Sequence, residues 1–85
     1  MEREIDNKYI IENLIKILVK KGVSKKKINN KYNFVKSKDL DSLDIIQLIF
    51  EIEKKFAIKF KKNDLSKKEF NTIAGITNII LNKKR

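Results

Sequence analysis

Residues 39–56, DLDSLDIIQLIFEIEKKF, break with the rest of the chain in both charge and pattern. Leu43, Ile45, Ile46, Leu48, Ile49, Ile52 and Phe56 recur at helical spacing, while Asp44, Gln47, Glu51 and Lys55 trace a polar stripe between them. The segment reads as an amphipathic helix over 42–56. Asp41 stands where a helix N-cap belongs and Asp44 at the third helical position, a relative of the capping box that sets carboxylates at the positive end of the helix dipole. Ser42 then falls on the first turn.

Working outward, Ile11, Leu14, Ile15 and Leu18 form one apolar stripe, broadened by Ile5, Ile10 and Ile17, which predicts a first helix over about 4–21. Lys20 and Lys21 suit its negative end. Gly22 can take the left-handed conformation that closes a helix, with Val23 packing back. Residues 24–38 are lysine-rich with the apolar anchors Ile28, Tyr32, Phe34 and Val35 and no period, so they read as a long packed loop. On the far side of the central helix, Ala57-Ile58-Lys59-Phe60 reads as an extended connector, because a lone strand would have no partner. A short helix over 63–68, capped by Asn63 or Asp64, and a last helix over 72–82, capped by Asn71 or Thr72 and carrying Ile73, Ile76, Ile79 and Ile80, complete the chain. Lys83-Lys84-Arg85 reads as a frayed tail. With no Pro and two Gly, the expected class is all-α: three main helices and one short helix, a long first loop, one domain over 1–85.

Eighty-five residues with 41% hydrophobic composition suffice for one modest core. The chain holds no Cys and no His, which excludes disulfides, thiolate nucleophiles, the usual zinc sets and every imidazole-dependent triad. A catalyst is therefore not expected, nor an intrinsic metal site. No apolar run approaches the roughly 18 residues that cross a bilayer, and the opening residues are charged, so a cytoplasmic protein is expected.

The formal charge is +10, yet residues 39–53 carry five carboxylates and no lysine or arginine. First-turn carboxylates account for Asp41 and Asp44. Glu51 and Glu53 lie toward the end where the dipole favours lysine, and a basic partner surface would explain them. The competing reading of the charge is a small basic helical nucleic-acid-binding protein, resting on runs such as Lys25-Lys26-Lys27. Against it, lysines are scattered over all segments, Arg is nearly absent for base readout, and the best amphipathic helix is acidic. No nucleic-acid partner is expected.

Asp41-Ser42-Leu43-Asp44 opening an apolar helix that ends in Glu53-Lys54-Lys55-Phe56, together with Phe70-Asn71-Thr72-Ile73 opening the last helix, resembles the acyl carrier protein family over nearly the whole chain. The resemblance implies a four-helix carrier bundle and a covalent 4′-phosphopantetheine arm on Ser42, attached by a phosphopantetheinyl transferase and ending in a thiol that carries cargo as a thioester. It implies that Asp41 helps position magnesium and the serine in that transfer and that Leu43 packs beside the arm or contacts partners. By the same resemblance, Asp44, Gln47, Glu51 and Glu53 form a docking face for acyl- or aminoacyl-loading and condensing enzymes with basic patches. Ile46, Phe50, Ile52, Leu65, Ile76 and Ile80 are candidates to line a shelter for an acyl chain, and a monomer that visits partners transiently is implied. Carriers of fatty-acid synthesis are acidic throughout, whereas Lys61, Lys62, Lys67 and Lys68 surround the short helix here, the lead-in is Lys38-Asp39-Leu40, and Gln47 stands where Glu is common. Leu40 before Asp-Ser also resembles stand-alone aminoacyl carriers of the D-alanyl type, and polyketide or nonribosomal peptide carriers are further alternatives for cargo.

Overall fold

Helix α1 (Asn7–Lys20) starts where the Asp6 carboxylate accepts the N–H of Tyr9. A computed structural model describes residues 6–84 of the chain, so the expected contribution of Glu4 and Ile5 to this helix lies outside the described residues, as does Arg85. Its other end is a Schellman closure: Gly22 at φ 101° donates to the Val19 carbonyl (3.0 Å), and Val23 donates to that of Leu18 (3.1 Å) and buries its side chain. Ile10, Leu14 and Leu18, spaced by four, turn inward.

Helix α2 spans Ser42–Phe56 and buries Leu48, Ile52 and Phe56, again spaced by four. It ends at Ala57, held at φ 55° while Ile58 N–H bonds the Glu53 carbonyl (3.0 Å). A left-handed residue with a Cβ costs on the order of 1 kcal/mol, and glycine removes most of that at some loss of chain entropy. Ala57→Gly is expected to raise stability by about 0.5 kcal/mol, visible as a higher urea midpoint with an unchanged slope.

The connector expected to be extended over Ala57–Phe60 forms no strand, but Ala57 is left-handed rather than extended because it closes α2; residues 58–61 carry no regular structure, Lys61 is extended and Ile58 is buried. The short helix begins earlier and ends sooner than its expected span: α3 is Lys62–Leu65, followed by a separate 3-10 turn over Lys68–Asn71. Asp64 is not its cap but its third residue, reaching back to accept the N–H of Lys61 at 2.7 Å. Helix α4 (Ile73–Lys84) follows directly, and Thr72 caps it, its hydroxyl oxygen accepting the N–H of Gly75 (3.1 Å). The expected frayed tail is helical through Lys84, and Lys83 is tied to Asp64 at 2.6 Å.

No strand forms among the described residues; the only extended pairing is a single bridge between Asn33 and Thr72. That bridge shows how the long loop is fixed. Phe34 N–H bonds the Asn71 carbonyl, while Ile73 and Ala74, whose N–H groups open α4, donate to the carbonyls of Tyr32 and Asn30. The loop thus satisfies donors that a helix start leaves orphaned. Ile28, Tyr32 and Phe34 are buried as anchors, but Val35 is exposed, because the Asn33 side chain accepts the N–H groups of Val35 and Lys36 and turns the chain outward there. The core joins all of these: α1 packs on α2 and α4, and Phe70 receives the edges of Phe34 and Phe60. Each fully buried Leu or Ile contributes roughly 1.5–3 kcal/mol.

The Lys83 ammonium first, and the Lys61 N–H second, hold the Asp64 carboxyl below the usual carboxylate range. A depressed carboxylate pKa adds stability above the unfolded value of about 4, and that contribution is lost as pH falls through the folded value. The melting temperature is therefore expected to drop on acidification below about pH 4, and Asp64→Asn to lower it at neutral pH while flattening that drop; thermal denaturation followed by circular dichroism checks both.

Candidate functional site

The start of α2 is built from both sides. Leu40 is buried and pins the approaching chain, and Asp41, in extended conformation, closes a reciprocal cap. Its carboxylate accepts the Asp44 N–H at 2.8 Å, and the Asp44 carboxylate reaches back to the Asp41 N–H at 3.4 Å. Ile45 donates to the Asp41 carbonyl. Of the four donors a helix start exposes, this leaves the N–H groups of Ser42 and Leu43 without a protein partner among the described residues. Ser42 is exposed, and its hydroxyl makes no hydrogen bond to any described residue.

A second layer steadies the approach. The Asp39 carboxylate accepts Lys27 Nζ at 2.7 Å and the Tyr32 hydroxyl at 2.8 Å, and Ser37 Oγ lies 3.0 Å from that hydroxyl. The Lys27 bond, then the Tyr32 bond, hold the Asp39 carboxyl below its ordinary range; the same bond to Asp39 raises the Lys27 ammonium, while burial is the main cause that raises the Tyr32 phenol. The sequence presented Lys27 as part of a basic run and Tyr32 as a loop anchor, and their convergence on Asp39 was not legible because they lie 12 and 7 positions from it.

The carboxylates of α2 are engaged inside the molecule. Glu51 Oε2 lies 3.1 Å from Lys21 Nζ, an ion pair without hydrogen-bond alignment, which leaves that buried oxygen with no hydrogen-bond donor. Glu53 accepts the N–H of Phe60 at 2.8 Å and so fixes the connector behind the helix. Asp44 belongs to the cap. Of the four residues expected on the docking face, Gln47 is exposed and Asp44, Glu51 and Glu53 are half-buried. The outer face of α2 also presents large apolar side chains: Leu43 is 62% exposed, Ile46 48% and Phe50 63%. At 100° per residue, positions 43, 46, 47, 50 and 54 cluster opposite the inward positions 48, 52 and 56.

The six shelter candidates therefore separate. Ile52, Ile76 and Ile80 are fully buried in the core, whereas Ile46 and Phe50 point outward from α2 and Leu65 is exposed on α3. The structure does not bring these six around one space, because helical periodicity puts 46 and 50 on the face away from 52. Among the described residues, no cluster of acidic side chains could hold a metal ion, and no helix is long and apolar enough to cross a membrane.

Comparison with known proteins bears on an exposed serine beside two free amides at a helix start. The family model described as "Phosphopantetheine attachment site" matches residues 16–80. The chain belongs to this acyl carrier protein family. Similar proteins include an "Acyl carrier protein" of Chloroherpeton thalassium, 35% identical over 69 residues, covering 81% of this chain and 84% of the relative. Another is an "Acyl carrier protein" of Buchnera aphidicola subsp. Schizaphis graminum, 34% identical over 77 residues, covering 88% and 95%. The family's group is 4′-phosphopantetheine, and the residues present fit it: a phosphodiester on the Ser42 hydroxyl would lie beside the two unpaired N–H groups at the positive end of α2, a favourable place for an anion.

Proposed function

We propose that this chain is a non-catalytic carrier whose Ser42 Oγ bears the 4′-phosphopantetheine arm, moving acyl intermediates of fatty-acid or related biosynthesis between enzymes. The observation that carries the reading is the Ser42 hydroxyl, exposed on the first turn of α2, with no internal bond to break before it reacts. When bound, the arm supplies a terminal thiol that holds cargo as a thioester, a nucleophile this chain lacks among its own side chains.

The chain's own residues do the rest. Asp41 and Asp44 hold the first turn in register and leave the Ser42 and Leu43 N–H groups to face a phosphate. Asp41, exposed beside the serine, is in place to contact magnesium held by the phosphopantetheinyl transferase. The outer face of α2, beginning one residue beyond Ser42, is the surface on which the transferase and the loading and condensing enzymes meet the carrier. Co-expression with a phosphopantetheinyl transferase tests this: intact mass should increase by one arm, and peptide mapping should find it on the peptide containing Ser42. An unmodified chain, or an arm on another serine, would refute it. Loading in lysate, followed by identification of the thioester, then distinguishes fatty acyl from aminoacyl or polyketide cargo.

A further inference from the structure

Five carboxylates in 39–53 suggest an acidic face for a basic partner, yet Asp41 and Asp44 are confined to the serine end of α2 on each other's N–H groups, Glu53 is turned to the N–H of Phe60, and Asp39 and Glu51 are paired with Lys27 and Lys21. Lysines near the other end of α2 are not. Lys20, Lys54 and Lys55 line a shallow groove of about 490 Å3 between α1 and α2, together with Ile17 and Glu51, and none of the three has a carboxylate partner among the described residues. Glu51 is already matched by Lys21, so the groove keeps three uncompensated positive charges. It adjoins Lys54, which continues the outward strip of Leu43, Ile46 and Phe50.

Resting on the attachment reading above, we propose that the transferase that modifies Ser42 meets α2 through an apolar socket for Leu43, Ile46 and Phe50, rimmed by carboxylates that face Lys20, Lys54 and Lys55. This reverses the basic patch expected there from the resemblance. Geometry permits the contact: Ser42 and Lys54 are twelve residues, or about 18 Å, apart along the helix, and a partner that buries about 800 Å2 with its footprint laid along α2 from the serine spans that length. Exposed apolar side chains in its centre provide the desolvated anchor, and the rim sets encounter rate and register. An anionic bilayer suits the strip less well, because Asp41 and Asp44 at its serine end would be repelled while the lysines were drawn in. A second copy of the chain, at +10, is opposed by like charge.

The test measures initial rates of arm incorporation by the holo-carrier synthase of the source organism, using wild type, Lys54→Glu/Lys55→Glu, Lys54→Gln/Lys55→Gln and Phe50→Ala. Circular dichroism confirms that each of these surface variants is folded. The glutamate pair should lower kcat/KM about tenfold near 0.1 M salt, where the screening length is about 10 Å, with the gap closing toward 1 M salt. The glutamine pair should fall between it and wild type, and Phe50→Ala should act mainly on KM. A glutamate pair that is modified as fast as wild type, or faster, overturns the acidic rim while leaving the attachment reading intact. Wild type that gains no arm overturns both. Flotation with phosphatidylserine vesicles that is lost in the glutamate pair would reassign the strip to a lipid surface.

Discussion

Ser42→Ala is expected to abolish arm incorporation completely while leaving the fold and its stability within about 0.5 kcal/mol of wild type. The two halves of that expectation rest on the same observation. The hydroxyl is exposed and bonds to no described residue, so its removal exposes no orphaned partner and opens no cavity. The cap that starts α2 is made by Asp41 and Asp44 and does not involve it. Intact-mass analysis after co-expression reads the first half and urea denaturation the second. A variant that unfolds would show that Ser42 has a structural role, and one that still gains the full arm would move the attachment elsewhere.

Gly75→Ala is expected to be the most damaging single-methyl change in the chain. Gly75 is the third residue of α4, where the helix crosses the 3-10 turn Lys68–Asn71, and a Cβ built there would sit 1.7 Å from the backbone oxygen of Glu69. The obstacle is backbone, so no rotamer can relieve it. Turn and helix must part, and with them go the Thr72 hydroxyl bond to Gly75 and the bonds from Phe34, Ile73 and Ala74 that tie the loop to this junction. Overpacking with backbone displacement costs about 1–3 kcal/mol, and the lost bonds add to it. A loss of about 3 kcal/mol lowers the melting temperature of a domain this size by roughly 12–24 °C. A shift under about 4 °C, corresponding to less than 1 kcal/mol, would show that the turn slides aside at little cost.

Helix α2 was legible in the sequence because two independent local signals agree on it: apolar positions at helical spacing and paired carboxylates at the start. Gly22 announced the close of α1 in the same local way, and its φ of 101° confirms the reason. What stayed hidden depends on residues far apart in the chain. Asp39 reads as one of an acidic group until Lys27 and Tyr32 fold onto it, and Lys83 reads as tail until Asp64 arrives beside it. Phe50 is the instructive case. An aromatic residue in an apolar helix is assigned to the core by composition, but it lies two positions out of step with Leu48 and Ile52, and only the helix that α2 packs against decides which side faces in.

The bracing around residue 42 also governs how far anything fastened there can travel. Leu40 is sunk into the core, Asp39 is clamped by a lysine and a tyrosine, and the first turn is closed by two carboxylates, so the hinge is stiff and the protein lends no slack of its own. A tethered substituent would sweep a cap whose radius is its own contour length, about a stationary centre. Enzymes that share such a load must either open their chambers within that radius or wait for the whole protein to detach and land again.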